Sequence, residues 1–209
     1  MNERKKQIKI CGLTRDEDIT VINVWEPDYA GFVFAPGKRQ LTPEKAHHLR
    51  EAMLPEIPSV GVFVNSPIKD ILKLIKDQTI SMIQLHGDED GEYVNTLRSH
   101  MNHPVPIIKA IRVQSGSDMV LAESFPSDYL LFDTYCKDLY GGSGKTFDWS
   151  MIPVIKKPWF LAGGIGAGNI MEAAKTDAFC LDVSSSLETD GKKDPEKIKE
   201  IIQRIRSEL

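Results

Sequence analysis

The sequence has few cysteines, no long apolar run and no excess of basic residues. Its three cysteines, Cys11, Cys136 and Cys180, are too few and too scattered for a disulfide framework or a zinc site. No segment reaches the ~18 apolar residues that a membrane span requires. The formal net charge of -4 argues against a general affinity for nucleic acid or acidic membranes, because both need a basic face.

The first seven residues, Met1 to Gln7, are charged, and no apolar stretch follows them. They therefore predict a cytoplasmic protein without a signal peptide. At 209 residues the chain is long enough for a sizeable core, and we expect one domain spanning residues 1–209.

Short β-branched or aromatic runs alternate with segments of helical periodicity, as in βα units around a parallel sheet. Eight such runs are present, the number that closes a (β/α)8 TIM barrel. They are Ile8 to Cys11, Tyr29 to Phe34, Ser59 to Val64, Met82 to His86, Ile107 to Ile111, Tyr129 to Asp133, Trp159 to Ala162 and Ala178 to Val183. A doubly wound open sheet shares this alternation, but the strand count and the absence of G-x-G-x-x-G after the first strand favour the barrel.

Helix starts are marked by a capping residue followed by proline at Thr42-Pro43, Ser66-Pro67 and Asp194-Pro195. The last helix shows an apolar stripe of Ile198, Ile201, Ile202 and Ile205, which predicts packing on the sheet. The helical segment after strand five, Ser115 to Ser124, is short, and after strand six Pro153 interrupts the segment that begins at Trp149.

The run from Tyr129 to Phe132 reads as a buried strand that ends in the carboxylate of Asp133. Asp133 could cap a turn, which Asp often does, or it could be a catalytic acid at the top of a barrel. This run by itself does not distinguish the two interpretations.

Residues at the carboxyl ends of barrel strands share one rim, so distant positions are expected to meet there. Cys11 ends the first strand and could be an inert buried thiol or a base or nucleophile. The remaining rim candidates are Arg39, Gln84, His86, Lys109, Arg112, Asp133, Gly163, Gly164, Asp182, Ser184, Ser185 and Ser186.

Gly163-Gly164 and Ser184 to Ser186 follow the last two strands, where barrels commonly bind phosphate with backbone N–H groups. Tight turns are the alternative. The Gly141 to Gly144 segment, which includes Gly142, is expected to join them. It is not a P-loop, because Leu139 stands where that motif needs glycine.

Two further rim residues have open roles. Arg39 could be a solvated loop cation, or it could bind a carboxylate through two parallel hydrogen bonds. His86 could be a general base, but we favour packing against a substrate.

These residues together resemble the phosphoribosylanthranilate isomerase family of tryptophan biosynthesis. The resemblance rests on Lys9-Ile-Cys-Gly-Leu-Thr14, Gly31-Phe-Val-Phe34, Lys38-Arg39, Val60-Gly-Val-Phe-Val-Asn65, Ile83-Gln-Leu-His-Gly87, Gly141-Gly-Ser-Gly-Lys-Thr-Phe-Asp-Trp149, Gly163-Gly164 and Asp182-Val-Ser-Ser185.

The resemblance implies an Amadori rearrangement on a (β/α)8 barrel without metal or cofactor. It implies that Asp133 is the general acid and Cys11 the general base, and that Arg39 binds the carboxylate of an anionic sugar-phosphate substrate. Gly163, Gly164, Ser184 and Ser185 match its phosphate-binding turns. We also predict substrate contacts for Gln84, His86, Gly142 and Asp182. The chain departs from the family at Gly166-Ala-Gly-Asn169, where Pro and Glu are usual before Asn, which predicts a looser turn.

Two other functions compete with this interpretation. The analogous histidine-pathway isomerase is similar in reaction, but its family has Asp where Cys11 stands. A catalytically silent phosphate-binding barrel is the other, and the presence of both Cys11 and Asp133 argues against it. No apolar surface stripe exceeds what the barrel helices need, so we expect a monomer.

Overall fold

Eight parallel strands close into a barrel in the computed structural model, which describes residues 6–113, 115–134 and 148–207. The strands are β1 (Gln7–Cys11), β2 (Tyr29–Val33), β3 (Ser59–Phe63), β4 (Met82–Leu85), β5 (Ile107–Val113), β6 (Tyr129–Thr134), β7 (Trp159–Leu161) and β8 (Cys180–Val183). Pairing between β8 and β1 closes the sheet. The (β/α)8 TIM barrel is confirmed, and each predicted strand is found with its ends displaced by two residues or fewer.

Helices cover the outside of the barrel. They are α1 (Asp16–Trp25), α2 (Pro43–Ala52), α3 (Ile68–Lys76), α4 (Gly91–Ser99), α5 (Gly116–Ala122), α6 (Ile170–Ala174) and α7 (Pro195–Ser207). Between β6 and β7 the structure describes residues 148–158, and within them lies a 3-10 turn, Trp149–Met151. Within the described ranges, no helix is long and apolar enough to span a membrane.

All three predicted cap and proline pairs precede helices, and in two of them the first residue caps the helix with its side chain. The Thr42 side chain accepts a hydrogen bond from the Lys45 amide at 3.2 Å, and Asp194 accepts from the Glu196 amide at 3.0 Å. The prediction for Ser66 is wrong, because α3 begins after Pro67 without a side-chain cap.

The apolar core lies on both sides of the sheet. Outside, the helices pack on outward-facing strand residues, and the predicted isoleucine stripe of α7 is fully buried there. Inside, apolar side chains fill the barrel and include Val60, Met82, Ile108, Leu131, Phe160 and Cys180. Cys180, the first residue of β8, is therefore a core residue.

A small antiparallel hairpin follows β8 and lies beside the rim. Its strands are β9 (Glu188–Thr189) and β10 (Lys192–Lys193), and they join through Asp190 and Gly191, both with positive φ. This turn geometry matches the right-handed twist of a two-residue hairpin. It places Glu188 opposite Lys193 near the carboxyl ends of the barrel strands.

Candidate active site

A cavity of about 600 Å³ opens at the carboxyl ends of the barrel strands. Ten of the predicted site residues line it: Cys11, Arg39, Gln84, His86, Asp133, Gly163, Gly164, Asp182, Ser184 and Ser185. The rim candidate Ser186 does not, and its hydroxyl donates to the Ile165 carbonyl. Gly142, with the segment around it, lies outside the described residues. The barrel thus brings together residues as far apart in sequence as Cys11 of β1 and Asp182 of β8, as expected from their positions near strand ends.

The rim candidates Lys109 and Arg112 line a different cavity, of about 620 Å³. Lys109 is buried and pairs with Glu89 at 2.9 Å, while Arg112 pairs with Asp88 at 2.7 Å. These contacts indicate a structural role, because both cations already have carboxylate partners.

Cys11 is the last residue of β1, and its side chain packs against Gly31 of the neighbouring strand. A methyl group added at Gly31 would lie 2.7 Å from Cys11 Sγ, so the glycine leaves the space that the thiol occupies. Burial raises the pKa of the Cys11 thiol above its ordinary value, and the nearby ammonium groups of Lys9 and Lys193 only partly oppose this. In the ligand-free protein at neutral pH, Cys11 is therefore a thiol.

Asp133, the penultimate residue of β6, lines the same cavity as Cys11. Its Oδ1 accepts a hydrogen bond from the Thr134 amide at 2.8 Å, and its Oδ2 lies 3.2 Å from His86 Nε2. Gly163, with φ of +86°, packs against it so closely that a methyl group there would lie 2.7 Å from Oδ1. The carboxyl group is thus oriented from three sides.

A fully buried lysine crosses the barrel below these two residues. Lys9 Nζ donates to Asp182 Oδ2 at 2.8 Å and to Gln84 Oε1 at 2.9 Å. Asp182 Oδ1 has no hydrogen-bond partner within the described part of the chain. Sequence reasoning missed Lys9, although the two-residue period of a strand puts it on the same face as Cys11.

Arg39 lies in the loop after β2 and pairs with Glu188 of the hairpin. Two hydrogen bonds, from Nε at 2.6 Å and from Nη2 at 3.0 Å, make the pair bidentate. Lys193 Nζ also contacts Glu188, at 3.0 Å. Two cations share one carboxylate, so this cluster carries one uncompensated positive charge beside the cavity.

The glycine and serine turns after β7 and β8 contain backbone N–H groups that make no hydrogen bond within the described part of the chain. Gly163 and Gly164 both have positive φ, at 86° and 67°. Over the described ranges, no hydrogen bond is made by the amides of Gly163, Gly164 or Ser185. The departure at residues 166–169 does not leave the turn open, because Asn169 accepts from the Gly166 amide at 2.8 Å and donates to the Gly164 carbonyl at 3.1 Å.

Among the described residues, no group of three or more His, Cys, Asp or Glu side chains is arranged to hold a metal ion.

The closed barrel and the cavity at the carboxyl ends of its strands place the chain among the TIM-barrel proteins. The sequence matches the N-(5'phosphoribosyl)anthranilate (PRA) isomerase family over residues 8–204. The chain belongs to this family, and the expected identity as an isomerase of tryptophan biosynthesis is confirmed.

The comparisons extend over nearly the full length of the chain. The N-(5'-phosphoribosyl)anthranilate isomerase of Endomicrobium trichonymphae is 46% identical over 202 residues, covering 96% of this chain and 98% of its own. The crystal structure of the Thermotoga maritima phosphoribosyl anthranilate isomerase has a TM-score of 0.84 at 33% identity, covering 97% of this chain and 99% of its own. Another solved isomerase is in complex with reduced 1-(o-carboxyphenylamino)-1-deoxyribulose 5-phosphate, with a TM-score of 0.80 at 30% identity, covering 97% of this chain and 99% of its own.

Proposed function

We propose that the protein converts N-(5-phosphoribosyl)anthranilate to 1-(2-carboxyphenylamino)-1-deoxyribulose 5-phosphate, with Asp133 as general acid and Cys11 as general base. The observation that carries this proposal is the cavity itself. A thiol and a carboxyl group from β1 and β6 line it together with the glycine and serine turns after β7 and β8.

The reaction needs only proton transfers. Asp133 donates a proton to the ribose ring oxygen as the bond from that oxygen to C1′ breaks, which leaves an iminium group at C1′. Cys11, as thiolate, removes the proton from C2′, and the electron pair forms an enolamine. The enol then loses its hydroxyl proton while C1′ gains one, which gives the ketone. A proton passes from Cys11 to Asp133 through solvent before the next turnover.

The charges around the cavity suit an anionic substrate. The unpaired amides of Gly163, Gly164 and Ser185 can donate to phosphate oxygens. The single uncompensated positive charge of Arg39, Lys193 and Glu188 matches one aryl carboxylate. The unpartnered Asp182 Oδ1 can accept from a ribose hydroxyl.

The burial of Cys11 bears on when it becomes a base. Its raised pKa means that the free protein holds a proton on the thiol, so reactive thiolate has to form in the bound state or at higher pH. The ammonium groups of Lys9 and Lys193 lie near the thiol and favour the thiolate once it forms.

The direct test is to mix the purified protein with freshly made phosphoribosylanthranilate and follow the loss of its anthranilate-type fluorescence. Cys11→Ser and Asp133→Asn should each reduce kcat by about 100-fold or more with KM nearly unchanged, since each removes one proton-transfer group. Wild-type turnover in either variant would remove that residue from the mechanism. Parallel assay with the histidine-pathway substrate tests the rival isomerase function.

Two further expectations belong to this proposal. We propose that the enzyme is a cytoplasmic monomer that takes a small anionic sugar phosphate, with no nucleic-acid or membrane partner. Sedimentation equilibrium over a range of protein concentrations measures the oligomeric state, and a concentration-dependent dimer would contradict the monomer.

A further inference from the structure

Two side chains, Gln84 and His86, connect the buried Lys9 to the carboxyl group of Asp133 through three contacts. Lys9 Nζ lies 2.9 Å from Gln84 Oε1, and Gln84 Nε2 lies 2.8 Å from His86 Nδ1. His86 Nε2 then lies 3.2 Å from Asp133 Oδ2. Gln84 and His86 are predicted substrate contacts, yet their polar atoms point along this chain.

Donor and acceptor rules give the chain a single direction. A lysine ammonium can only donate, so it fixes the Gln84 carbonyl oxygen on its own side and turns the amide nitrogen towards His86. The amide nitrogen also only donates, so His86 Nδ1 has to accept. The imidazole proton therefore sits on Nε2, where it faces Asp133 Oδ2.

The surroundings hold this direction in place. Lys9 is fully buried, Gln84 is 1% exposed, and Asp182 fixes the ammonium group at 2.8 Å. Burial alone would lower the pKa of Lys9, but Asp182 outweighs it and raises the pKa above its ordinary value, so the donor stays charged. Reversing the amide of Gln84 would place two donors against each other at Lys9, which costs free energy in a buried site.

We propose that Lys9, Gln84 and His86 form a positioning chain that holds the Nε2–H tautomer of His86 and so orients the Asp133 carboxyl group towards the ligand. The inference rests on the proposed role of Asp133 as general acid. His86 is a positioning residue here and not the proton source, because its Nδ1 faces an amide N–H. The proton that Asp133 donates has to reach it from the cavity.

The test uses Gln84→Glu, which keeps an oxygen acceptor for Lys9 Nζ but replaces the amide donor by a carboxylate acceptor. Nitrogen-15 NMR of histidine-labelled protein reports which ring nitrogen of His86 carries the proton, and loss of the signal in His86→Asn assigns it. We expect an unprotonated Nδ1 in the wild-type protein and a protonated Nδ1 in Gln84→Glu. A protonated Nδ1 in the wild type, or no change in the variant, would overturn the proposal.

Kinetics separate positioning from substrate contact. Gln84→Glu should lower kcat about 10- to 100-fold, the change expected when one hydrogen bond to a charged group is lost, with KM within about twofold. The matched control is Gln203→Glu, an amide-to-carboxylate change on the exposed face of α7, which should leave both constants unchanged. A raised KM with normal kcat in Gln84→Glu would make Gln84 a substrate contact and refute the chain.

The NMR result does not depend on turnover. A protein with the expected tautomer but no isomerase activity would reject the proposed function and leave the hydrogen-bond chain intact. An active enzyme with the opposite tautomer would reject the chain and leave the function intact.

Discussion

Replacing Gly163 by alanine tests whether the close backbone contact with Asp133 matters for catalysis. The new methyl group would lie 2.5 Å from Thr134 Oγ1 and 2.7 Å from Asp133 Oδ1, whereas ordinary contacts begin at 3.4 Å. Relief by the carboxyl group requires a displacement of about 0.7 Å. Because a misplacement of ~1 Å can cost about 100-fold in rate, we expect kcat/KM to fall roughly 10- to 100-fold.

Backbone strain has to be separated from this displacement. Gly163 has φ of +86°, a region that costs an alanine about 1–2 kcal/mol, so the variant also loses stability. Gly191 in the hairpin has φ of +74° with nothing within 4 Å of the added methyl group, and so it shares the strain without the contact. Gly168 has neither feature.

The three alanine variants are compared by thermal unfolding and by the fluorescence assay at a temperature where all are folded. Gly163→Ala and Gly191→Ala should both lower Tm, by about 2–4 °C per kcal/mol for a chain of this size, and Gly168→Ala should not. Only Gly163→Ala should lose catalytic efficiency. Equal activity in Gly163→Ala and Gly191→Ala would refute the claim that this glycine sets the position of Asp133.

Three more outcomes follow from the charges of the structure. Because burial raises the pKa of Cys11, its alkylation rate in the free protein should increase with pH through the alkaline range, as peptide-resolved labelling would show; a plateau already reached at pH 7 would contradict this. Burial opposes ionisation of Glu188, but the hydrogen bonds from Arg39 outweigh it, and the pKa of Glu188 is lowered in the folded protein. The Arg39–Glu188 pair therefore stabilises the fold at pH values above 4.5, the ordinary pKa of the unfolded glutamate, and this stabilisation is lost as the pH falls through the lower pKa of the folded state. Urea unfolding should therefore find Glu188→Gln less stable than wild type at pH 7, with a smaller difference at pH 3.5; an equal difference at both would be evidence against it. Lys109→Met should cost about 3–5 kcal/mol in the same assay by leaving the buried Glu89 carboxylate without its counter-ion, with partial recovery on adding Glu89→Gln; no recovery would argue against a buried-charge penalty.

The barrel could be predicted because its strands are short buried runs whose pattern does not depend on distant residues. Tyr129 to Asp133 shows this well, since an apolar run ending in a carboxylate indicates both the strand and the side of the barrel where Asp133 lies. The closed topology then placed Cys11, Asp133 and Ser184 on one rim without any knowledge of contacts. The isomerase family followed from these residues together with the glycine motifs.

Pairing between side chains could not be predicted in the same way. The contact between His86 and Asp133 joins residues 47 positions apart and depends on the exact direction of two strand ends. Glu188 meets Arg39 only because a small hairpin folds back over the rim, and nothing in its local sequence distinguishes it from a solvated acid. Ser66 also shows that a capping pattern in the sequence can be misleading, since α3 begins after Pro67 and the Ser66 hydroxyl does not cap it.

β1 and β8, the first and last strands of the barrel, pair with each other and are also joined by side-chain contacts of cavity residues. Asp182 of β8 neutralises the ammonium group of Lys9 in β1, and the Ser184 hydroxyl donates to the Cys11 carbonyl at 3.0 Å. A chain that ended before residue 180 would lack both the counter-ion of Lys9 and the strand that pairs with β1, which would leave an open sheet edge there. Such a fragment would also lack Asp182 and Ser184 of the cavity, so its stability and its site would be lost together.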